Sequence, residues 1–145
     1  EAKKILVIFV VCFSGLVFSP MSAEGALITI EIEAVVDGVH DPDNCLEGLV
    51  NIGDLITGTY TYDTDTPDLN PLSNVGDYEH YGYPNGFSLS VGGLDFVTDP
   101  ANTSFLIEIV NDGYDDFYLV RSYNNLPIAN GTSVNNIVWY LNNNY

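Results

Sequence analysis

Apolar and polar residues alternate along several short runs of this chain, which is the period of a β-strand and not of a helix. In residues 27–36, isoleucines at every second position alternate with threonine and glutamate. Residues 55–63 alternate threonines with isoleucine and tyrosines, the β-branched and aromatic residues that strands favour. No window offers three turns of helical apolar spacing, so the sequence predicts an all-β fold.

Turn residues between these runs indicate antiparallel pairing. Gly92 and Gly93 separate residues 87–91 from residues 94–98, and a two-residue hairpin turn of this kind needs positive φ at both positions. Further strands are predicted at residues 104–110, 117–123 and 134–141. We predict an antiparallel β-sandwich, jelly-roll-like, in which two sheets pack face to face.

The first residues have the order of an export signal. Lys3 and Lys4 precede an apolar run at residues 5–18, and the small residue Ala23 follows it. The run is shorter than the ~20 apolar residues that span a bilayer, so no membrane span is predicted in the mature chain. We predict that residues 1–23 form a signal-peptide helix; a buried core helix is the alternative.

The remaining residues, 24–145, have the length of one domain. Beyond the signal, Cys45 is the only cysteine, which excludes a disulfide within the mature chain. We expect it to be buried, and an intermolecular pair is the alternative. Arg121 is the only remaining Lys or Arg, and we expect it to pair with a carboxylate or to stack on a tyrosine.

Charge restricts the partners of this chain. It carries 20 Asp and Glu against 3 Lys and Arg, for a net charge of −17. Binding to nucleic acid depends on Lys and Arg that neutralise phosphates, and anionic lipid attracts the same residues. Both partners are therefore excluded, and cations, neutral polymers and basic surfaces remain.

The acidic residues concentrate in three loop clusters. The clusters are Asp37, Asp41 and Asp43; Asp63, Asp65 and Asp68; and Asp112, Asp115 and Asp116. Calcium takes six to eight oxygen ligands from such loops, which makes each cluster a candidate calcium site. None matches the twelve-residue EF-hand loop. The alternative is that these residues only form turns, because their side chains bond nearby backbone.

The middle cluster opens the longest connection predicted in the chain, residues 63–86. Such long loops are usually functional, ordered by a ligand or mobile. We therefore favour this cluster as the calcium site.

Catalytic motifs are scarce. His40 and His80 are the only histidines, and no nucleophile elbow accompanies them. Carboxylate pairs suit glycoside hydrolysis, but the sequence places no two of them across a cleft. Tyrosine pairs such as Tyr60/Tyr62 and Tyr81/Tyr83 suit stacking on sugar rings, or else simply flank strands. We expect a noncatalytic binding module, with a secreted polysaccharide hydrolase using loop carboxylates as the alternative.

One long run and four shorter motifs together resemble a known group of proteins. The run is GDLITGTYTYDTDTPD at residues 53–68. The motifs are Gly76-x-Tyr78, Gly86-Phe87-Ser88, Gly92-Gly93-Leu94-x-Phe96 and Tyr118-Leu119-Val120-Arg121-Ser122-Tyr123. In this order they resemble secreted bacterial proteins of the PEP-CTERM (exosortase-sorted) type, over most of residues 27–141.

The resemblance implies a β-sandwich protein secreted to, or held at, the surface of a bacterium. Its expected partners are exopolysaccharide or other envelope proteins, and it supplies no catalytic residues. The Val-Pro-Glu-Pro motif, apolar helix and basic tail of that group are not present in this sequence. We expect the domain to be truncated at its C-terminus before them, or the protein to be released.

Overall fold

The computed structural model describes residues 25–113 and 116–142, and these form eight β-strands and no helix. The strands are β1 (Leu27–Val35), β2 (Leu55–Asp63), β3 (Val75–His80), β4 (Gly86–Val91), β5 (Leu94–Val97), β6 (Phe105–Val110), β7 (Phe117–Ser122) and β8 (Ile137–Asn142). The predicted signal segment, residues 1–23, lies outside this range. Within the range, no helix has the length and hydrophobicity to cross a membrane.

The strands form two antiparallel sheets of four strands each. The first sheet has the order β1-β2-β4-β5, and the second has the order β3-β6-β7-β8. The chain passes from one sheet to the other between β2 and β3, between β3 and β4, and between β5 and β6. The predicted antiparallel β-sandwich is confirmed.

The hydrophobic core lies between the two sheets. Its buried members are Ile32, Tyr60 and Phe87 from the first sheet and Phe105, Ile107, Val120 and Ile137 from the second. Phe105 is 1% exposed, and its ring lies 5.5 Å from Phe87 and 6.4 Å from Tyr60, measured between centroids. Because inward side chains alternate with outward ones, each strand also presents a face to solvent.

The prediction that residues 63–86 form a single long loop is wrong, because β3 lies within this range. Gly76, Asp77 and Glu79 are residues that strands disfavour, and β3 shows no apolar alternation. This strand lies at the edge of the second sheet and pairs along its full length with β6. Pairing with a well-buried neighbour, rather than its own composition, makes it a strand.

Two smaller expectations also change. The final strand begins at Ile137, three residues later than the predicted run at residue 134. Cys45 is half-buried in the loop between β1 and β2 rather than buried, and it is a free thiol.

Candidate functional site

The outer face of the first sheet carries rows of hydroxyl groups. Tyr60 of β2 points into the core, so its neighbours Thr59 and Thr61 project to the opposite side. Thr59 lies directly across from Ser88 of β4, and the hydroxyl oxygens of Thr61 and Thr29 lie 2.9 Å apart. The alternation that buries the tyrosines therefore also builds a polar surface, on which Glu31 of β1 lies directly across from Thr59.

A groove of about 300 Å³ runs over this face and the adjoining loops. Its lining includes Thr59, Thr61, Tyr83, Asn85, Ser88 and Leu126. The tyrosine belongs to the turn between β3 and β4, and the leucine follows β7. Connections from both sheets thus form the walls, while strands of the first sheet form the floor.

Two polar side chains of the turn between β3 and β4 line the groove, Tyr83 and Asn85. Tyr83 is 78% exposed, which leaves its ring free to stack. The amide nitrogen of Asn85 donates to the carbonyl oxygen of Gly82 at 3.0 Å. Its amide oxygen is buried and has no hydrogen-bond partner in the described part of the chain. Because this oxygen is buried, the group that the turn offers to a ligand is the ring of Tyr83.

Buried hydrogen bonds hold the groove in place. The Thr98 hydroxyl accepts from the backbone N–H of Phe87 at 2.9 Å and donates to the Ser122 hydroxyl at 2.8 Å. Ser122 belongs to β7 and is fully buried. These two bonds connect the edge of the first sheet to the second sheet directly beneath the groove.

The chemistry available in the groove is recognition of neutral polar groups. Hydroxyl-bearing side chains, Asn85 and Tyr83 line it, together with apolar side chains such as Leu126. None of the described residues in its lining is Asp, Glu, His, Lys or Arg. These groups suit the binding of a neutral polar ligand.

The first acidic cluster closes a turn in the loop between β1 and β2. The two carboxylate oxygens of Asp41 accept from the backbone N–H groups of Cys45 and Leu46, each at 2.7 Å. Asp37 and Asp43 are exposed. The central carboxylate of this cluster is thus occupied by its own loop.

The middle cluster makes similar local bonds. One Asp63 oxygen accepts from the N–H of Asp65 at 2.9 Å. One Asp68 oxygen accepts from the N–H groups of Asn70 at 2.8 Å and Asp77 at 3.0 Å. The N–H groups of Asp77 and Asn70 hold the pKa of the Asp68 carboxyl below its usual range. Asp68 therefore ties the loop before β3 to that strand.

In the third cluster, Asp116 accepts from the N–H of Gly113 at 2.9 Å. Asp112 is exposed, and Asp115 lies outside the described residues. Among residues 25–113 and 116–142, no three His, Cys, Asp or Glu side chains come together as a metal site. Calcium binding remains a prediction, to be tested in solution.

The groove residues were not singled out as a site in the sequence. The alternating threonines of β2 indicated a strand, and Tyr83 was one of several paired tyrosines. Only the pairing of β2 with β4 places Ser88 beside Thr59, and only the turn geometry places Asn85 next to them.

Comparisons with models of protein families, with curated proteins and with solved structures gave no match to this chain. Its function is therefore inferred from the chemistry of its own residues.

Proposed function

We propose that this protein is a noncatalytic extracellular module that binds a neutral matrix polysaccharide in the groove on the outer face of its first sheet. The observation that carries the proposal is the combination of Tyr83, 78% exposed, with the hydroxyl-bearing side chains Thr59, Thr61 and Ser88 in the lining of one groove. A sugar ring has an apolar face for the tyrosine and hydroxyl groups for these side chains.

The charge of the molecule supports a neutral ligand. The chain carries a net charge of −17, and none of the described residues that line the groove is Lys or Arg. An anionic polymer would be repelled, since nothing in the groove offsets its charge. Thr59, Thr61 and Ser88 each donate and accept hydrogen bonds, which suits the hydroxyls of an uncharged sugar.

An open groove also suits a polymer better than a closed pocket does. The exposed ring of Tyr83 in its lining is accessible to a polymer from solvent. The hydrolase alternative is less well supported. Hydrolysis of a glycosidic bond needs two carboxylates flanking it, ~5–10 Å apart, and none of the described residues that line the groove is Asp or Glu.

Location at the cell surface is part of the proposal. Its support is the predicted signal at residues 1–23 and the resemblance to PEP-CTERM proteins. Exopolysaccharide is the matching ligand class, and other envelope proteins are the alternative partners.

The test is affinity electrophoresis and calorimetry with soluble neutral polysaccharides, for example glucans, mannans and galactans. We expect Tyr83→Ala to weaken binding about fivefold or more, because it removes the exposed ring on which a sugar would stack. Ser88→Ala should weaken it less, since it removes one hydroxyl.

Tyr140→Ala is the matched control, because Tyr140 is 49% exposed on β8 of the second sheet. Equal effects of Tyr83→Ala and Tyr140→Ala, or no binding to any neutral polymer, would overturn the proposal. Release of reducing ends during incubation would instead favour the hydrolase.

A further inference from the structure

A second cavity lies between the sheets, where β2 ends beside β3, β6 and β7. It is a cleft of about 250 Å³. Its walls include Tyr62, Tyr78, His80, Ile107, Ile109 and Tyr118. None of its lining residues belongs to the groove, so the two cavities are separate. Pockets for drug-sized ligands have volumes of ~300–1,000 Å³. This cleft is smaller, so it has room for no more than a single ring with a short substituent.

The hydroxyl groups of Tyr60 and Tyr118, at this cleft, carry two hydrogens but form only one hydrogen bond with each other. The hydroxyl oxygens of Tyr60 and Tyr118 lie 2.9 Å apart, which is one hydrogen bond. Burial raises the pKa of both hydroxyls above the usual range, so both remain protonated at neutral pH. Two O–H groups share one bond, and neither has another partner in the described part of the chain.

The position of the two rings shows where the spare hydrogen lies. Tyr60 is buried in the core at 6% exposure, whereas Tyr118 lines the cleft. When Tyr60 donates to Tyr118, the hydrogen of Tyr118 is available to the cleft. The reverse arrangement would leave an unpaired hydroxyl hydrogen in the core, which is costly. The Tyr118 hydroxyl is thus a donor without an acceptor among the described residues.

The histidine of the cleft offers no competing group. His80 is 2% exposed, and its Nδ1 and Nε2 lie 3.0 Å from the Tyr78 carbonyl oxygen and 3.2 Å from the Asp63 carbonyl oxygen. Both ring nitrogens are directed at backbone acceptors, so His80 presents no free lone pair to a ligand. Thr64 and Asp63 also line the cleft, but the Thr64 hydroxyl donates to the Ala26 carbonyl oxygen and an Asp63 oxygen accepts from the N–H of Asp65. The hydroxyl of Tyr118 is therefore the donor that we assign to a ligand.

We propose that this cleft is a second binding site, which takes a small neutral aromatic molecule whose oxygen accepts a hydrogen bond from Tyr118. The aromatic and aliphatic walls match the faces of a planar ring. A sugar would leave most of its hydroxyls unpaired against Ile107, Ile109 and the tyrosine rings, at a desolvation cost. Asp63 lines the cleft and the molecule is strongly acidic, which disfavours an anionic ligand.

Acetophenone and ethylbenzene form the matched pair of probes, because they have nearly the same shape and only acetophenone carries an acceptor oxygen. Each is titrated into the full chain and followed by amide chemical shifts in NMR. We expect saturable shifts at β3, β6 and β7 and about tenfold tighter binding of acetophenone, the effect of one hydrogen bond. Absence of saturable shifts, or equal binding of the two probes, would overturn the proposal.

Three variants locate the interaction. Tyr118→Phe should abolish the preference for acetophenone while ethylbenzene still binds. Ile109→Trp should block both probes, because it fills the cleft and leaves Tyr118 in place. Tyr83→Ala in the groove should change neither affinity.

Retention of the preference in Tyr118→Phe would overturn the proposal, and so would unchanged binding in Ile109→Trp. Should Tyr118→Phe fail to fold, Ile109→Trp and the probe pair decide the outcome. Weaker polysaccharide binding in Tyr83→Ala, with acetophenone binding unchanged, would show that the groove and the cleft bind their ligands independently.

Discussion

Arg121 is the only Lys or Arg after the first four residues, and it lies on β7. Its guanidinium carbon lies 5.7 Å from the ring centroid of Tyr123, so of the two expected arrangements the structure shows stacking on a tyrosine. Its Nε is buried without a hydrogen-bond partner in the described residues. The stem of this side chain and its contact with the ring therefore contribute more to stability than its hydrogen bonds do.

We expect Arg121→Ala to lower the free energy of unfolding by about 1–2 kcal/mol, through loss of packing and of the cation–π contact. Arg121→Met should cost less than about 1 kcal/mol, because it keeps an apolar stem and removes the unpaired Nε. Urea denaturation at neutral pH measures both. Equal losses for the two variants would contradict this account and indicate a missing ionic partner.

Asp68 acts through its charge on two backbone N–H groups. Because its folded pKa is lowered, the ionised carboxylate stabilises the fold at neutral pH, and this stabilisation disappears as the pH falls through the folded pKa. Asp68→Asn should therefore lower the melting temperature at pH 7, with a difference from the parent protein that shrinks below about pH 4.

Asp43→Asn is the control for this prediction, because Asp43 is an exposed carboxylate of the first cluster. Its melting temperature should follow that of the parent protein more closely across the pH range. If both variants show the same pH dependence, the hydrogen bonds of Asp68 are not its cause.

At the scale of elements, the β4–β5 hairpin shows how turn chemistry fixes register. Gly92 and Gly93 have φ values of 59° and 80°, and the predicted two-residue turn is confirmed. The positions differ in their surroundings. A side chain at Gly92 would overlap the carbonyl oxygen of Leu49, whereas one at Gly93 would meet nothing within 4 Å. The turn thus also supports the loop that precedes β2.

Gly92→Ala should consequently destabilise the protein more than Gly93→Ala does. Positive φ alone costs about 1–2 kcal/mol for alanine, which is the whole effect expected at Gly93. At Gly92 the steric overlap adds about 1–3 kcal/mol. Thermal and urea denaturation of the two variants measure the difference, and equal losses would show that the Leu49 loop simply moves aside.

At the scale of the whole molecule, the net charge of −17 opposes compaction. The described residues beyond the signal contain a single cation of the Lys or Arg type, so attraction between side chains offsets little of this repulsion. Burial of a ring-rich core between two four-stranded sheets is what opposes it. Stability should therefore increase with ionic strength, and cations that bind specifically should add to that increase.

We expect calcium to bind specifically at Asp63 and Asp65, where β2 ends and the next loop begins, and so to add to the stabilisation by salt. Backbone carbonyls and water complete calcium shells in extracellular modules, whose dissociation constants are ~10⁻⁴–10⁻³ M. A hundredfold excess over such a constant would stabilise the fold by about 2.7 kcal/mol. The melting temperature should therefore rise by several degrees in about 10 mM calcium, which is a hundredfold excess over ~10⁻⁴ M, relative to sodium at matched ionic strength.

Asp63→Asn/Asp65→Asn should abolish this rise. Glu31→Gln/Glu33→Gln removes the same charge from the exposed face of β1 and should preserve it. Equal stabilisation by every salt would show that the salts act only by screening the net charge, and it would contradict a calcium site.

The strands and turns with strong local patterns were predictable from the sequence. β2 coincides with its predicted bounds, and β1, β4, β5, β6 and β7 lie within a residue of theirs. Alternation of apolar and polar residues indicates which side of a strand is buried, and paired glycines indicate where the chain reverses. Both patterns are properties of neighbouring residues.

Tertiary structure decided what depends on residues far apart in the chain. β3 forms because β6 lies beside it, although Gly76, Asp77 and Glu79 disfavour a strand. The groove exists because β2 pairs with β4, and the spare hydroxyl hydrogen at Tyr118 exists because the two sheets bring Tyr60 to it. A single sequence encodes the conformational preference of each segment. Strand order and the packing of the sheets determine which side chains from distant segments come into contact.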